Sequence, residues 1–346
     1  MGNKGLPKVT LMIVVRNERE YIEKSLNSFL SQTYPENLTE ILLIDGMSTD
    51  GTKEWLQDKV KELKNKGVDI KLFDNPGKIL ATGWNIGIRN ASGDIVCRID
   101  AHSEIYPDYI EKGVKTLLEM KNEKIICAGG ILEHIGDGIK GKAIANLLSS
   151  SFAVGNSPFR TDSNFRPKFS SPKFTDTAVY GLYWKKVFEE VGYFDENLKR
   201  NQDIALHSKI LERGYKFVTN PEMRIRYYVR NTIRKLLKKA YSDGYWVIFS
   251  KKAFLRHKIP MVFVLYLILA ILGAVFWLSF DFPFILYLGY LIPLFVYFLG
   301  TIYFSIKDGK SYCKILLPVL FPLFHISYGL GSLKGWIDYH FIKNDL

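Results

Sequence analysis

From Thr10 onward, the chain repeats an apolar run, a polar loop and a stretch with helical character. The apolar runs predict β-strands, and the longer stretches between them predict helices. The successive strand and helix pairs are 10–15 and 20–30, 40–44 and 52–66, 70–73 and 78–90, and 95–99 and 108–120. This alternation is typical of βαβ units, so it predicts an α/β domain with a mainly parallel sheet.

The carboxyl-terminal part of the chain has a different pattern, because long uncharged apolar stretches begin near Ile259. The stretches 259–280 and 282–306 each exceed the roughly 20 residues that a helix needs to cross a bilayer, so both are predicted to span a membrane. The residues between them, 281–283, predict a tight hairpin. A third apolar stretch, 315–333, is interrupted by prolines, glycines and a histidine. It could span the membrane, re-enter it or lie at its surface.

Positive charge is concentrated next to these apolar stretches. The formal net charge is +12, and the segment 224–258 is rich in Lys and Arg while Asp243 is its single acid. A basic segment beside a span predicts contact with anionic lipid headgroups and a cytoplasmic location for the domain that precedes it; nucleic-acid binding is the alternative, which the adjacent span disfavours. We therefore expect a soluble domain at 1–230, a basic amphipathic juxtamembrane segment at 231–258 and a membrane region at 259–346.

Polar residues follow the ends of the predicted strands, where open parallel sheets bind their ligands. After the first strand, Asn17 and Glu20 have the spacing of a capping box for the next helix. After the second, Asp45 could accept a hydrogen bond from the imino group of a base, and Asp50 is expected to cap the following helix. No glycine-rich phosphate loop of the dinucleotide-binding or P-loop type follows a strand. A nucleotide would therefore be held in another way.

Two further positions carry candidate chemistry. The fourth strand ends in Asp100-Ala-His102, which places a carboxylate and an imidazole on the same side of an extended backbone. Such a pair could hold a divalent cation against the phosphates of a ligand, although an isolated Asp-x-His is more often structural. Asp203 lies near the start of a later helix, with His207 one turn after it. It is either a helix cap or a general base that takes a proton from a hydroxyl group.

Taken together and in this order, these segments resemble glycosyltransferase family 2. The resemblance rests on the Asn17-Glu18 turn, the segments 45–52 and 87–94, Asp100-Ala-His102, and Phe194-Asp-Glu196 with Asn201-Gln-Asp203. It is greatest for the succinoglycan-synthesis glucosyltransferase-like branch, in which Asp-Ala-His stands in the place of Asp-x-Asp. The resemblance implies a GT-A fold that binds a nucleotide sugar, and a single displacement that inverts the anomeric carbon.

The resemblance also implies roles for individual residues. Asp203 is then the catalytic base, and Asp100 with His102 holds a divalent metal, Mn²⁺ or Mg²⁺. The residues expected to bind the nucleotide are Val15, Asn17, Glu18, Asp45, Lys78, Asn85 and Asp100. The chain departs from the usual family pattern at His102, which replaces a second Asp, and at Gln202, which replaces a Glu.

Acceptor contacts are expected after the catalytic domain. The chain lacks the Gln-x-x-Arg-Trp segment of the processive synthases in this family, which favours the addition of single sugars. Candidates for contacts with the acceptor or with phosphate are Gln202, Arg230, Arg234 and Trp246. Arg230 and Arg234 are expected one helical turn apart, where their guanidinium groups could bind a diphosphate or face lipid.

The expected partners are a UDP-sugar and a polyprenyl-diphosphate-linked saccharide at the cytoplasmic membrane face. Two alternatives remain open from the sequence. One is a polyprenyl-phosphate glycosyltransferase, which needs no catalytic base because its acceptor phosphate is already ionised. The other is a membrane scaffold that binds a nucleotide sugar without turnover.

Overall fold

The computed structural model describes residues 5–155, 157–161, 170–250, 255–280, 284–310 and 312–342. The chain divides into two compact units. The first is Met1–Glu133 with Pro158–Tyr228, and the second is His134–Ser157 with Val229–Leu346. The sequence did not indicate that 134–157 groups with the carboxyl-terminal helices. The hairpin predicted at 281–283 lies outside the described residues.

The first unit contains a nine-stranded sheet within the part of the chain that is described. Its strands are β1 (Val9–Val15), β2 (Thr39–Asp45), β3 (Ile70–Asp74), β4 (Ile95–Asp100), β5 (Ser103–Ile105), β6 (Ile125–Ile135), β7 (Lys173–Thr175), β8 (Leu182–Trp184) and β9 (Lys216–Tyr228). The order is β3-β2-β1-β4-β8-β6-β9-β5, with β7 paired to β9. Strands β3, β2, β1 and β4 are mutually parallel. The predicted α/β architecture with a mainly parallel sheet is thus confirmed.

Helices of the first unit cover both faces of this sheet. In chain order, the helices up to residue 212 are α1 (Ile22–Leu30), α2 (Thr52–Asn65), α3 (Leu80–Asn90), α4 (Tyr109–Glu119), α5 (Gly138–Ser149), α6 (Ser151–Val154), α7 (Pro158–Thr161), α8 (Lys186–Val191) and α9 (Gln202–Glu212). Of these, α5 and α6 belong to the second unit. Strand β1 is buried along its whole length, and its alternate side chains enter two separate apolar clusters. This fits a strand that is covered on both sides, as the parallel arrangement requires.

Helix α3 lies unusually close to β1. A Cβ atom added at Gly83 would come within 2.5 Å of Val14 Cγ1, and one at Gly87 within 2.6 Å of Met12 Sδ. Glycine at these two positions therefore lets the helix backbone approach the central strand. The close contact fixes the height of α3, and with it Trp84, against the middle of the sheet.

The second unit is built on four further helices, α10 (Ile233–Val247), α11 (Leu255–Phe280), α12 (Phe284–Asp308) and α13 (Cys313–Ile337). Within the described residues, three segments are long and apolar enough to cross a membrane: His257–Ser279, Leu288–Asp308 and Cys313–Phe341. The two predicted apolar spans are therefore helices, and the third stretch, left open by the sequence, forms a helix of spanning length as well. These helices indicate a membrane protein.

Glycines of α13 bring it against the basic helix α10. A Cβ atom at Gly331 would lie 2.0 Å from the Tyr241 carbonyl oxygen, and one at Gly335 would lie 2.5 Å from that of Tyr245. On the other side of the contact, a Cβ atom at Gly244 would lie 2.1 Å from the Tyr328 carbonyl oxygen. The two backbones therefore pack directly on each other, which explains why α13 is more buried than α11 and α12.

The segment 134–157 contributes an aromatic anchor to the same unit. The ring of Phe152 stacks on Phe304 at 4.9 Å and meets Phe321 edge-on at 5.0 Å. His325 lies 3.0 Å from the Phe152 carbonyl oxygen through Nε2 and 2.8 Å from the Tyr297 hydroxyl through Nδ1. Both ring nitrogens of His325 are thus used in helix packing, as expected for a buried polar residue.

Candidate active site

The carboxyl ends of the parallel strands meet at one edge of the sheet. In the register, Val15 of β1 stands opposite Asp45 of β2, Val14 stands opposite Asp100 of β4, and Asp45 stands opposite Asp74 of β3. Three carboxylates therefore follow neighbouring strands at the position where sheets of this kind bind ligands.

The loops after β1 and β2 are tied together by Asn17. Its backbone N–H donates to Ser48 Oγ at 2.9 Å, and its side-chain Oδ1 accepts from the Thr49 N–H at 2.8 Å. The predicted capping box is wrong, because α1 begins only at Ile22 after Tyr21 and Asn17 is directed to the neighbouring loop instead. Asn17 has a positive φ of 54°, which turns the chain away from a helical start.

Left-handed backbone recurs in the loops after the first three strands. Asn17 follows β1, Met47 follows β2 with a φ of 58°, and Lys78 follows β3 with a φ of 60°. Each is a non-glycine residue in a sparsely populated conformation, and such residues concentrate at ligand sites. The Lys78 side chain is exposed, and its carbonyl oxygen accepts from Arg16 Nη1 at 3.5 Å.

Asp45 carries an incomplete hydrogen-bond set. It is fully buried, and its Oδ2 accepts from the Ser48 N–H at 3.0 Å. Its Oδ1 is buried without a hydrogen-bond partner among the described residues. Leaving a buried acceptor unpaired costs about 1–3 kcal/mol, so this oxygen is suited to a ligand N–H that would complete it.

Asp50 is predicted to cap the helix that follows it, but the N-cap residue of α2 is Gly51. Asp50 lies one residue earlier, and its carboxylate accepts a hydrogen bond from the Thr52 N–H at 3.1 Å.

Asp100 is held from one side by Tyr180. The Tyr180 hydroxyl donates to Asp100 Oδ2 at 2.9 Å and accepts from Ser103 Oγ at 2.9 Å. Burial, followed by the negative charge of Asp100, raises the pKa of Tyr180 well above its usual value, so the phenol remains a donor. One oxygen of Asp100, Oδ2, is thereby bonded to the protein.

His102 lies beside a second carboxylate. Its Nδ1 is 3.7 Å from Glu18 Oε1, and its ring meets the Tyr227 ring edge-on at 5.2 Å. The Glu18 carboxylate therefore lies on the Nδ1 side of the imidazole ring. Within the described residues, no three His, Cys, Asp or Glu side chains group as a metal site. Asp100 and His102 offer a carboxylate and an imidazole, a donor pair that Mn²⁺ or Mg²⁺ can combine with phosphate oxygens and water.

The segment before α9 is fastened to α3 by Asn85. Its amide donates to the Phe194 carbonyl oxygen at 2.9 Å and to Glu196 Oε1 at 2.7 Å, and its Oδ1 accepts from the Phe194 N–H at 3.0 Å. Asn85 is buried, and both of its amide hydrogens are used by the protein. Its observed role is to hold the 194–196 segment in place.

Asp203 stands in the first turn of α9. Its Oδ1 accepts from the Ile204 N–H at 2.9 Å, and its Oδ2 lies 3.7 Å from Arg98 Nη2. The Asp203 side chain remains 41% exposed, so a ligand hydroxyl can reach it. Gln202 is buried, and its Oε1 has no hydrogen-bond partner among the described residues.

His207, one turn after Asp203, belongs to the core. Its Nδ1 lies 2.6 Å from Thr177 Oγ1 and its Nε2 lies 2.7 Å from the Tyr183 hydroxyl. Burial lowers the pKa of His207 to about 3. The ring is therefore neutral near pH 7 and serves packing, and Asp203 is the exposed carboxylate at this end of α9.

Comparison with known proteins agrees with this arrangement. The family model described as glycosyl transferase family 2 matches residues 10–192. The chain belongs to glycosyltransferase family 2. Its identification from the sequence motifs is thereby confirmed.

Two relatives of this family 2 glycosyltransferase extend the similarity. One is the dolichyl N-acetyl-alpha-D-glucosaminyl phosphate 3-beta-D-2,3-diacetamido-2,3-dideoxy-beta-D-glucuronosyltransferase of Methanococcus voltae, 30% identical over 340 residues, 95% of this chain and 97% of that protein. The other is the succinoglycan biosynthesis protein ExoA of Rhizobium meliloti (strain 1021), 25% identical over 262 residues, 75% of this chain and 74% of that protein. The similarity to the first covers nearly both whole chains.

The fold is similar to that of a mannosyltransferase from Pyrobaculum calidifontis, solved in complex with GDP-Man and Mn²⁺. The TM-score is 0.58 at 17% identity, over 97% of this chain and 88% of that one. The GT-A fold implied by the sequence motifs is confirmed by this likeness.

Three predicted contact residues of the glycosyltransferase belong to the second unit. Thr232 caps α10, and its hydroxyl accepts from the Lys235 N–H, so the helix begins after Arg230. The expectation that Arg230 and Arg234 lie one helical turn apart is therefore wrong; both side chains are exposed. Trp246 lies within α10 and contacts the Tyr245 ring at 5.4 Å.

The sequence did not lead us to predict a role for Arg98, Trp84 or Tyr180 of this glycosyltransferase. Arg98 could have been recognised, because it is a charged residue within the otherwise apolar run 95–99. Tyr180 and Trp84 could not, since aromatic residues in loops and helices are most often part of the core. Cys97, Cys127 and Cys313 are all free and buried.

Proposed function

We propose that this glycosyltransferase moves one sugar from a UDP-sugar to a lipid-phosphate-linked saccharide, with inversion at the anomeric carbon. The observation that carries the proposal is Asp45, whose buried Oδ1 stands without a partner among the described residues while its other oxygen is held by the Ser48 N–H. Uracil presents an N3–H that would complete this oxygen. Asp100, at the same edge of the sheet, would then serve the diphosphate, and Asp203, 3.7 Å from Arg98 of β4, would serve the acceptor.

The donor would lie across the loops that follow β1, β2 and β3. Asp45 would accept from the uracil, while Asn17, Glu18, Lys78 and the end of β1 at Val15 would border the nucleotide. Asn85 would act indirectly, because its amide is occupied in holding the 194–196 segment. Asp100 would contact the ribose or the diphosphate through the oxygen that Tyr180 leaves free.

Asp100 and His102 would hold Mn²⁺ or Mg²⁺ together with the donor diphosphate. A bound ion of this kind supplies charge neutralisation of the leaving diphosphate. The Pyrobaculum calidifontis mannosyltransferase named above was solved with Mn²⁺, which supports the assignment. The protein's own contribution is to fix the two ligands, through Tyr180 at Asp100 and Glu18 at His102.

Asp203 would act as the general base. Its carboxylate takes the proton of the acceptor hydroxyl while the hydroxyl oxygen attacks the anomeric carbon from the face opposite the nucleoside diphosphate. The bond to the diphosphate breaks with its electron pair in the same displacement. The product linkage is β when the donor is α-linked, and no covalent enzyme intermediate forms.

A lipid-linked acceptor is supported by two observations. The glycosyltransferase carries three helices long enough to span a membrane, and the name of its Methanococcus voltae relative describes transfer to a dolichyl phosphate-linked sugar. Exposed Arg230 and Arg234 would lie toward anionic groups, and Gln202 and Trp246 are further candidates for acceptor contacts. Positive charge next to the spans favours the cytoplasmic face for the catalytic domain.

The decisive test is Asp203→Asn, with Asp195→Asn as the matched control because Asp195 is an exposed carboxylate of the preceding segment. Lipid products would be followed by mass spectrometry with UDP- and GDP-sugars and with lipid phosphate, lipid-phosphate-sugar and lipid-diphosphate-sugar acceptors. We expect Asp203→Asn to lower kcat on a saccharide acceptor by about 10²- to 10⁴-fold and Asp195→Asn to leave it unchanged.

The same panel separates the alternatives. Undiminished turnover of Asp203→Asn on bare lipid phosphate would contradict the assignment of Asp203 as the general base. It would favour a polyprenyl-phosphate glycosyltransferase. Failure of the wild-type protein to release nucleoside diphosphate with any donor would favour a non-catalytic scaffold.

A further inference from the structure

Arg98 is a buried cation behind the proposed catalytic base. It lies on β4 two residues before Asp100, so both side chains project from the same face of the strand. Its side chain is only 7% exposed, and its neighbours Val96 and Trp84 belong to one of the two apolar clusters of the sheet. A cation in such surroundings is retained only when other groups compensate its charge.

Aromatic rings hold the flat faces of this guanidinium. Its central carbon lies 3.8 Å from the centroid of the Trp84 ring and 5.6 Å from that of Phe194. Trp84 and Phe194 also contact each other, with 4.9 Å between ring centroids. The rings favour the cation and restrict its rotation, because a planar guanidinium stacks on an aromatic face as an ammonium group cannot.

The edge of the guanidinium meets Asp203. Arg98 Nη2 lies 3.7 Å from Asp203 Oδ2, and this is the only ion pair that Arg98 forms among the described residues. The Tyr183 hydroxyl and the Asp100 carboxylate are further polar neighbours of Arg98, and Arg98 Nε is buried without a partner in the described part of the chain. Asp203 Oδ1 is held separately by the Ile204 N–H. The two oxygens of the carboxylate are therefore restrained from two directions.

We propose that Arg98, stacked on Trp84, is a positioning residue that fixes the Asp203 carboxylate in the orientation from which it accepts the acceptor proton. This inference rests on the proposed role of Asp203 as base. Without Arg98, the carboxylate at the start of α9 keeps, among the described residues, only its contact with the Ile204 N–H and can turn about its side-chain bonds. Arg98 would act mainly on the rate of the chemical step, because Asp45 and Asp100 keep their hydrogen bonds from the Ser48 N–H and the Tyr180 hydroxyl when Arg98 is replaced.

The test compares Arg98→Met with Arg89→Met. Arg89 is a matched control because its guanidinium also stacks on an aromatic ring, 4.7 Å from the Tyr193 centroid, and also faces a carboxylate, 3.9 Å from Glu196 Oε1, but its side chain is 55% exposed. We expect Arg98→Met to lower kcat by about 30- to 100-fold, since a misplaced catalytic group costs up to about 10² in rate. The KM for the acceptor and the Kd for UDP should change less than about threefold. Arg89→Met should leave all three constants unchanged.

Two further measurements distinguish positioning from a general loss of structure. Guanidinium ion at low millimolar concentration should restore part of the kcat of Arg98→Ala and should not affect Arg89→Ala. If the Arg98 variants fail to fold, Trp84→Phe keeps the cation while offering it a weaker aromatic face, and kcat should fall by about threefold with UDP affinity retained.

The assignment of Asp203 as the base and the assignment of Arg98 as its positioning residue can be refuted separately. If Asp203→Asn keeps full activity, the base assignment is wrong whatever Arg98 does. If Asp203→Asn is impaired while Arg98→Met keeps kcat within twofold of wild type, the positioning role is overturned and the base stands. It is also overturned if Arg98→Met weakens UDP binding as much as it slows turnover, or if it slows the Asp203→Asn variant as strongly as the wild type.

Discussion

Asp45→Asn offers a sharp test of nucleotide recognition. The backbone N–H of Ser48 needs an acceptor, so the oxygen of the new amide should take the place of Oδ2, 3.0 Å from that nitrogen. The amide NH₂ is then left at the position of Oδ1, which is buried and has no partner among the described residues. A donor would therefore replace the acceptor that we propose for the uracil N3–H.

The cost follows from the lost bond. A hydrogen bond to a charged acceptor is worth about 1.5–3 kcal/mol, which corresponds to a UDP dissociation constant about 10- to 150-fold higher. Isothermal titration calorimetry with UDP in the presence of Mn²⁺ would measure it. Titration with CDP gives a second measurement, because cytosine N3 is an acceptor to which the new NH₂ can donate. The ratio of CDP to UDP dissociation constants should therefore be smaller for Asp45→Asn than for the wild type.

Asp74→Asn is the matched control for this experiment. Asp74 stands opposite Asp45 in the sheet register, but it is exposed and pairs with Lys53 Nζ at 2.8 Å. Its replacement should leave UDP affinity within about twofold. If Asp45→Asn also stays within twofold, with the UDP and CDP preference unaltered, then Asp45 does not contact the base and the proposed donor orientation is wrong.

Two other predictions follow from side-chain contacts. Tyr180→Phe removes the donor to Asp100 Oδ2, so Mn²⁺ affinity measured by electron paramagnetic resonance with UDP present should fall by about 10-fold; an unchanged affinity would show that Asp100 needs no such support. Glu40 is fully buried, and although burial opposes its charge, hydrogen bonds from Lys71, Ser92 and Thr10 lower its pKa to about 2. Because the folded pKa is depressed, this stabilisation of about 3 kcal/mol is present above about pH 5 and is lost as the pH falls toward 2. The melting temperature of Glu40→Gln should therefore differ from that of the wild type at pH 7 and approach it near pH 2.5. A difference in melting temperature that stays constant with pH would contradict the depressed pKa of Glu40.

The alternation of strands and helices could be predicted from the sequence because it depends on short-range periodicity. The strand ends that carry Asp45 and Asp100 were found for the same reason, since parallel strands bring their carboxyl ends to one edge. The capping box at Asn17 failed because a left-handed residue directs the chain to a loop 31 positions away. The spacing of Arg230 and Arg234 failed because one hydroxyl, that of Thr232, sets where the helix begins.

Contacts between distant segments left little trace in the sequence. Arg98 and Asp203 are separated by more than a hundred positions in the sequence. The residues around either one give no indication that the two side chains contact each other. The segment around Phe152 reads as an ordinary apolar helix of the soluble domain, because its partners lie on helices that follow much later. Such pairings are set by tertiary packing, which a single sequence does not reveal.

The anchoring of Phe152 has a practical consequence for producing a soluble enzyme. A protein shortened after Tyr228 would lose the membrane helices but would keep the segment His134–Ser157, which belongs to the unit that was removed. Phe152 would then face water instead of Phe304 and Phe321, so the shortened protein should aggregate. Joining Glu133 to Pro158 through a short polar linker in the same protein would remove that apolar surface, and only this double deletion should yield a soluble catalytic domain.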